Sequence, residues 1–187
     1  MPLGASRFGL LGGVADLGKL ELIETQIISS ATANFTSLSE NTYNVHLFTL
    51  SDLVVTTQTE FGLRVSDDGG STYETTNYEF ANQRGYASGT FAERKSTSQG
   101  SIRLGGDVTT DTNSVFNGYF YMYNAGDSSK YTFFTSHNTF TQGSTYAMEF
   151  GSGVYKVAST INAIQIGEGI LSAFSSGTIS VYGIAES

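Results

Sequence analysis

The stretch SDDGGSTY, from Ser66 to Tyr73, combines residue types that could do chemistry. Two adjacent carboxylates, two glycines and several hydroxyl groups allow three interpretations: a calcium loop, half of a glycosidase carboxylate pair, or a structural turn. A calcium loop presents oxygen ligands at alternating positions and ends in a bidentate acid. Asp67 and Asp68 are adjacent, so on a strand they would face opposite ways. The pattern therefore favours a turn.

The spacing within this stretch is Ser-x-Asp-x-Gly-x-Thr-aromatic, and it is met by Ser66, Asp68, Gly70, Thr72 and Tyr73. It resembles the Asp-box, a β-hairpin turn found in sialidases and in many unrelated β proteins. The aspartate can accept backbone N–H bonds, the glycines take positive φ values, and the aromatic residue packs beneath the hairpin. The box occurs once here, without the repeats of a sialidase-like propeller. We therefore expect a structural hairpin without a metal ion or a catalytic role.

The remaining candidates for catalysis or metal binding are two histidines and two glutamates. His46 and His137 lack a matched carboxylate spacing, so they make a weak metal site. A glycosidase needs two carboxylates about 5–10 Å apart, but the odd spacing of Glu74 and Glu79 places them on opposite faces of a regular strand. No Gly-x-Ser-x-Gly nucleophile elbow is present. We expect no enzymatic activity and no cofactor.

Two further segments are better explained by folding than by binding. The run GYFYMY, residues 118–123, could stack against a sugar, but aromatic residues at this density in a β protein are typical of a core. NAGDSSKY, residues 124–131, is typical of a hairpin connection in which Asp127 and Ser128 bond neighbouring backbone. We expect the first segment to belong to the core and the second to need no ligand.

The composition indicates one all-β domain. The chain has 187 residues, and only 14% are charged against roughly 25% in soluble domains. Thr, Tyr, Phe, Val and Ile favour strands, while Ser, Asn and 22 glycines favour turns. A net charge of −8 with nine scattered basic residues argues against a nucleic-acid partner. The absence of cysteine excludes disulfides and thiolate metal sites, and no apolar run approaches the ~20 residues that span a membrane.

Alternating segments continue from Glu21 to the end and predict about ten short strands in a sandwich or barrel. We assign residues 21–187 to this single domain. The segment 72–80 is predicted as one of the strands, although it alternates weakly. The segment 86–96 has an interior glycine and is predicted as a loop with at most one turn of helix. No repeat of 20–50 residues is present, which argues against a propeller or solenoid.

Residues 1–20 differ from the rest because apolar residues are mixed with glycines at no regular period. Each glycine costs a helix ~1 kcal/mol against alanine, and the segment lacks the charged start of a secretion signal. It is either a disordered terminus or an extended docking arm, and we favour the arm. The candidate partner contacts are Leu3, Phe8, Leu10 and Leu11.

Four segments together resemble small virion proteins of tailed bacteriophages. They are MPLGASRFGLLGG, SDDGGSTYET, YNAGDSSKYTFFTSHNTF and SGTISVYGIAES. The similarity is greatest to the virion proteins of short-tailed phages that infect marine bacteria and cyanobacteria. The resemblance implies a structural role on the particle and an antiparallel β-sandwich of jelly-roll type. It implies no catalytic residues.

The resemblance leads to two hypotheses for function. The first is a capsid decoration, cement or knob protein, made in the host cytoplasm, whose arm docks on neighbouring capsid subunits. The alternative is a tail adaptor or short tail fibre that recognises a host surface glycan, which predicts exposed aromatic residues with polar neighbours in a groove. A glycan-cleaving enzyme would need a carboxylate pair that the sequence does not supply. Symmetric homo-oligomers are usual for such modules, and a trimer follows by analogy.

Overall fold

The computed structural model describes residues 19–110, 113–167 and 174–185. Within these ranges the chain forms β-strands and no helix, so no helix is present there that could span a membrane. The twelve strands are β1 Leu20–Ile27, β2 Ala33–Phe35, β3 Val45–Val55, β4 Thr59–Ser66, β5 Tyr78–Tyr86, β6 Phe91–Gln99, β7 Ile102–Val108, β8 Phe116–Tyr123, β9 Thr132–Gln142, β10 Thr145–Tyr155, β11 Ala163–Ile166 and β12 Phe174–Ile184.

The strands form two antiparallel sheets with the order of a jelly roll. One sheet contains the run β1-β12-β3-β8, and the other is β2-β11-β4-β7. The chain enters alternate sheets from β1 to β4 and returns through β11 and β12, which gives the two interlocked Greek keys of that fold. Two inserted pairs, β5–β6 and β9–β10, extend the first sheet to eight strands in the order β1-β12-β3-β8-β9-β10-β5-β6. The predicted antiparallel β-sandwich is confirmed.

The core lies between the sheets and is built from alternate residues of each strand. Along β3, His46, Phe48 and Leu50 are buried, while the intervening side chains are half-buried. Phe48 stacks on Phe120 of β8 with ring centroids 4.5 Å apart, and Phe35 of β2 meets Phe48 edge-on at 5.7 Å. β3 is therefore buried on its core face and half-buried over these residues on the other face.

Two local predictions in the middle of the chain are wrong. The segment 72–80 is mostly a connection, and its strand, β5, begins only at Tyr78. The segment 86–96, predicted as a loop, contains a tight turn closed by the bond from Tyr86 N–H to Thr90 O, 2.9 Å, and then most of β6. β6 is an edge strand rich in charged and hydroxyl residues. Its sequence therefore lacks the apolar alternation that identifies buried strands.

The proposed arm falls almost wholly outside the described residues. Leu3, Phe8, Leu10 and Leu11 lie in the range 1–18, of which the structure gives no description. β1 begins at Leu20, so the last residue assigned to the arm belongs to the edge strand of the eight-stranded sheet.

Candidate functional site

The turn that follows β4 is organised around the carboxylate of Asp68. Its Oδ1 accepts the Ser66 hydroxyl at 2.7 Å and the Thr72 backbone N–H at 2.9 Å, and its Oδ2 accepts the Thr72 hydroxyl at 2.7 Å. Gly69 and Gly70 take φ values of 77° and 86°. The bonds from Thr72 and Ser66 lower the pKa of Asp68 to about 2. The aspartate therefore acts as the acceptor that closes the turn.

This turn is not a hairpin, which corrects the sequence prediction. It connects β4 in the four-stranded sheet to β5 in the eight-stranded sheet. Asn162, in the connection from β10 to β11, fastens it: the Asn162 amide accepts Gly69 N–H at 2.8 Å and donates to the Asp67 carbonyl at 3.2 Å. Because the signature specifies only local bonds, the same residues can serve a crossover between sheets.

Tyr73, the aromatic residue at the end of the motif, packs beneath the turn, as the sequence predicted. Tyr73 is half-buried, and burial raises the pKa of its hydroxyl. A Cβ atom added to Gly70 would lie 3.0 Å from the Tyr73 hydroxyl oxygen and 2.8 Å from a methyl carbon of Thr36. The glycine therefore allows the turn to lie directly on the ring.

The histidines and glutamates singled out in the sequence do not come together. His46 is buried with Nε2 2.7 Å from the Leu38 carbonyl, whereas His137 lies exposed on β9. Glu74 lies in the β4–β5 connection, and Glu79 on β5 pairs with Lys156 at 2.8 Å. Within the described residues, no group of three or more His, Asp or Glu side chains is placed to hold a metal ion.

In the connection between β8 and β9, Asp127 bonds neighbouring backbone, as the sequence predicted. Asp127 Oδ1 accepts the Ser129 backbone N–H at 2.9 Å and the Ser129 hydroxyl at 2.6 Å. Its Oδ2 lies 2.8 Å from Lys130 Nζ, and the hydrogen bond from Lys130 is the largest cause that lowers the pKa of Asp127. The side-chain contacts of Asp127 are with Ser129 and Lys130 and not with Ser128.

A buried polar cluster, which the sequence did not reveal, lies on the core side of the inserted strands. Arg84 on β5 is fully buried and contacts Glu149 on β10, with Nε 2.8 Å from Oε2. Its Nη1 reaches Asp107 at 3.3 Å and Gln142 at 3.1 Å. Asn82 donates to the other oxygen of Glu149 at 2.9 Å. The cluster satisfies buried charges, so we assign it to structure.

The exposed apolar side chains are concentrated on one surface. We define the outer face as the face of the eight-stranded sheet turned away from the four-stranded sheet. Strand register, with a bulge in β1 between Leu22 and Glu24, places eight exposed side chains on it: Leu20, Leu22, Ile27, Phe91, Tyr119, Phe133, Tyr146 and Phe150. Tyr131, the remaining exposed large hydrophobic residue among those described, lies in the β8–β9 connection. Single exposed apolar residues are ordinary, but a group on one face is typical of an interaction surface.

The aromatic run on β8 serves both faces of the sheet. Phe120 and Met122 are buried in the core, whereas Tyr119, Tyr121 and Tyr123 lie on the outer face. The outer rings are neighbours along the strand, with centroids 5.9 Å apart for Tyr119 and Tyr121 and 6.1 Å apart for Tyr121 and Tyr123. The prediction of a core segment therefore holds for alternate residues only.

The aromatic surface continues across the strands towards the inserted hairpins. Tyr119, His137 and Phe150 lie side by side on β8, β9 and β10. Their ring centroids are 6.0 Å apart for the first pair and 6.3 Å apart for the second, with interplanar angles of 65° and 74°. These pairs were not predictable from the sequence because they depend on strand register.

An open groove of about 690 Å³ crosses the outer face over β9, β10, β5 and β6. Its floor is made of short side chains, including Ala81, Ser152 and Val154, and its sides include Phe133 and Lys95. The register explains the shape, because Ala81 lies opposite Ser152 on one side and Lys95 on the other. The small residues lie on the two central strands of the groove, β10 and β5, and the larger ones lie on the flanking strands, β9 and β6.

A second depression of about 300 Å³ shares Ala81 and Lys95 with the groove and extends it to Phe150, Gln83 and Glu93. We call the two together the outer-face groove. Phe133 lies opposite Val154, four residues along β10 from Phe150, so the rings are roughly 14 Å apart along the strand direction. An exposed aromatic ring therefore marks each end of the groove.

The charged side chains at the groove are paired. Lys95 Nζ lies 2.7 Å from Glu93 Oε2, and Lys156 Nζ lies 2.8 Å from Glu79 Oε1. The hydrogen bond from Lys95 lowers the pKa of Glu93, and the bond that Lys156 donates to Glu79 raises the pKa of Lys156. The groove is polar along its edges, while its ion pairs carry no net charge.

The comparisons with known proteins do not assign this chain to a family. No family model matches it, and neither the curated proteins nor the solved structures gave a significant match.

Proposed function

We propose that this chain is a non-enzymatic structural protein of a tailed-phage particle, a capsid decoration protein that docks through its N-terminal residues and β1. The observation that carries the proposal is the exposure of apolar side chains on the outer face of β1. Leu20, Leu22 and Ile27 are 49%, 59% and 83% exposed. They follow directly on the apolar segment that the sequence indicates as a docking arm.

The position of β1 suits docking. It is an edge strand, so among the described residues no strand pairs with the outer side of its backbone. Such an edge can pair with an extended segment of another chain. Burial of one exposed leucine or isoleucine contributes up to about 1.5–3 kcal/mol. The arm and β1 together would form one continuous contact.

The fold is compatible with a role in a virus particle, but the fold alone does not assign that role. Jelly rolls occur in viral capsid proteins, but the same fold hosts many unrelated functions. The sequence resemblance to small phage virion proteins points in the same direction. Symmetric assembly, with a trimer by analogy, remains part of the proposal.

Deletion of residues 1–19 tests the proposal. We expect the truncated protein to stay folded by circular dichroism, because the deletion leaves every described strand intact, the first of which begins at Leu20. We expect it to lose attachment to particles that lack the protein. The full chain carrying Phe91→Ser, an exposed residue near the opposite edge of the outer face, is the control and should attach normally. Attachment by the truncated protein would contradict the docking proposal.

The second candidate function is a tail adaptor or short fibre that contacts a host surface glycan. The observation that favours it is the outer-face groove, in which exposed aromatic rings have polar neighbours. Antibody labelling of intact particles separates the two candidates. Label over the head supports decoration, and label confined to the tail supports recognition of the host.

A further inference from the structure

We infer that the outer-face groove binds a neutral oligosaccharide, with Phe133 and Phe150 as stacking surfaces. The inference deepens the second candidate function and takes its biological meaning from it. Sugar binding itself is measured on the purified protein, so its outcome is independent of where the protein lies on the particle.

The first argument is the shape of the site. The larger part of the groove, about 690 Å³, falls within the roughly 300–1,000 Å³ of small-molecule sites. It is open and elongated, with roughly 14 Å along β10 between the two aromatic rings. An extended chain of several sugar rings fits this form better than a single compact ligand.

The second argument is the exposure of the rings. Phe133 is 47% exposed and Phe150 is 43% exposed. Neither is covered by another described strand, and exposed aromatic surface in water is unfavourable. The apolar C–H face of a hexose can cover such a ring while its hydroxyl groups point outward along the edges.

The third argument is the chemistry of the groove edges. The exposed residues Ser152 and Thr97 line the groove, Ser152 on the strand next to that of Phe133 and Thr97 on the far side, and Gln83 lies opposite Phe150. Hydroxyls and amides donate and accept hydrogen bonds, as sugar hydroxyls do. An apolar peptide would leave these groups without partners, which costs free energy.

The fourth argument is charge. Lys95 and Lys156 are already paired with Glu93 and Glu79, so the groove offers no excess positive charge to an anionic group. The chain carries a net charge of −8, which repels polyanions. The structure therefore favours a neutral sugar over an acidic polysaccharide or a phosphate.

Affinity electrophoresis of the full-length protein tests the inference. The probes are dextran, yeast mannan, a neutral galactan and soluble starch, each cast in a native gel, with alginate as the acidic comparison. We expect at least one neutral polysaccharide to slow the wild type, and Phe133→Ala to weaken this binding at least tenfold. The matched control is Tyr146→Ala, because Tyr146 is 51% exposed on the outer face but does not line the groove.

A second variant keeps the test sharp if loss of Phe133 disturbs packing. Ala81→Leu retains both rings and fills the floor of the groove at an exposed position. We expect it to abolish binding while the melting temperature stays that of the wild type. The inference is overturned if no neutral probe slows the wild type, if alginate slows it as strongly, or if Tyr146→Ala weakens binding as much as Phe133→Ala.

The outcomes for the site and for the function are distinguishable. Sugar binding together with label on the head would support the sugar site in the groove and contradict the tail function. Label on the tail without sugar binding would contradict the sugar site in the groove and support the tail location.

Discussion

Arg84 and Glu149 lie directly opposite each other on β5 and β10 and form an ion pair on the core side of the sheet. Arg84 Nη2 is 2.7 Å from Glu149 Oε2, and the two side chains are 0% and 1% exposed. The pair joins the two hairpins that are inserted into the jelly roll. Ala81 and Ser152, on the same two strands, point the other way into the groove. The buried pair therefore fixes the strands that form the groove floor.

Glu149→Gln should be strongly destabilising. The substitution leaves the Arg84 guanidinium buried without its main counter-charge, and loss of one partner of a buried pair typically costs about 3–5 kcal/mol. Urea unfolding followed by circular dichroism measures the loss. The control is Glu93→Gln at the exposed pair with Lys95, which should leave the midpoint nearly unchanged. Equal effects of the two substitutions would contradict the structural role of the buried pair.

The double substitution Arg84→Met with Glu149→Met should cost less than the sum of the two single changes. It removes both charges together, so neither is left buried alone. The same unfolding measurement gives the coupling between the residues. Additive losses would show that Arg84 and Glu149 do not depend on each other.

Asp68→Ala should lower the melting temperature at neutral pH by less than Glu149→Gln does, because the turn loses the acceptor for Ser66 and Thr72. The folded-state pKa is about 2, below the ordinary value of 3.8. The ionised carboxylate therefore stabilises the fold above pH 3.8, and this contribution is lost as the pH falls through 2. Thermal melts of wild type and variant should converge over that interval. Asp67→Ala is the control, and a similar loss there would contradict the specific role of Asp68.

His46 should make the stability fall as the solution is acidified from neutral pH. Burial lowers its pKa in the folded state below the ordinary 6.5, so the unfolded chain takes up a proton first. Stability is then lost as the pH falls through 6.5, with a slope of at most about 1.4 kcal/mol per pH unit. His46→Gln should flatten this part of the curve, whereas His137→Gln retains His46 and should keep it. If His46→Gln keeps the slope of the wild type, a group other than His46 causes the pH dependence of stability.

Leu22→Ser combined with Ile27→Ser should abolish attachment to particles with little effect on folding. Both side chains are exposed, and surface substitutions away from special features usually change stability by no more than about 0.5 kcal/mol. The melting temperature checks the fold, and co-sedimentation with particles checks attachment. Normal attachment would exclude β1 from the docking contact, while the deletion of residues 1–19 would still test the arm.

The fold class could be predicted because it depends on local patterns. Alternation along the strands and the scarcity of charge are properties of neighbouring residues, and together they indicate an all-β chain. β6 was missed because an edge strand needs no apolar alternation. The hydrogen bonds of the Ser66–Thr72 turn could also be inferred, since they join residues within four positions of each other.

The candidate site was far less predictable. The groove depends on which small residues on β5 and β10 become neighbours, and Ala81 and Ser152 are far apart in sequence. The same holds for Arg84 and Glu149, which are separated by 65 positions. The residues next to Arg84 or Glu149 in the sequence give no indication that the two side chains are in contact.

The sequence by itself determined an all-β chain with a locally closed turn, because strand alternation and turn bonds are satisfied among near neighbours. The tertiary structure decided that this turn crosses between sheets, that two hairpins extend one sheet to eight strands, and that exposed rings and short side chains form a groove. These features follow from strand order and register. They are set by the packing free energy of the whole core and not by the preferences of any one segment.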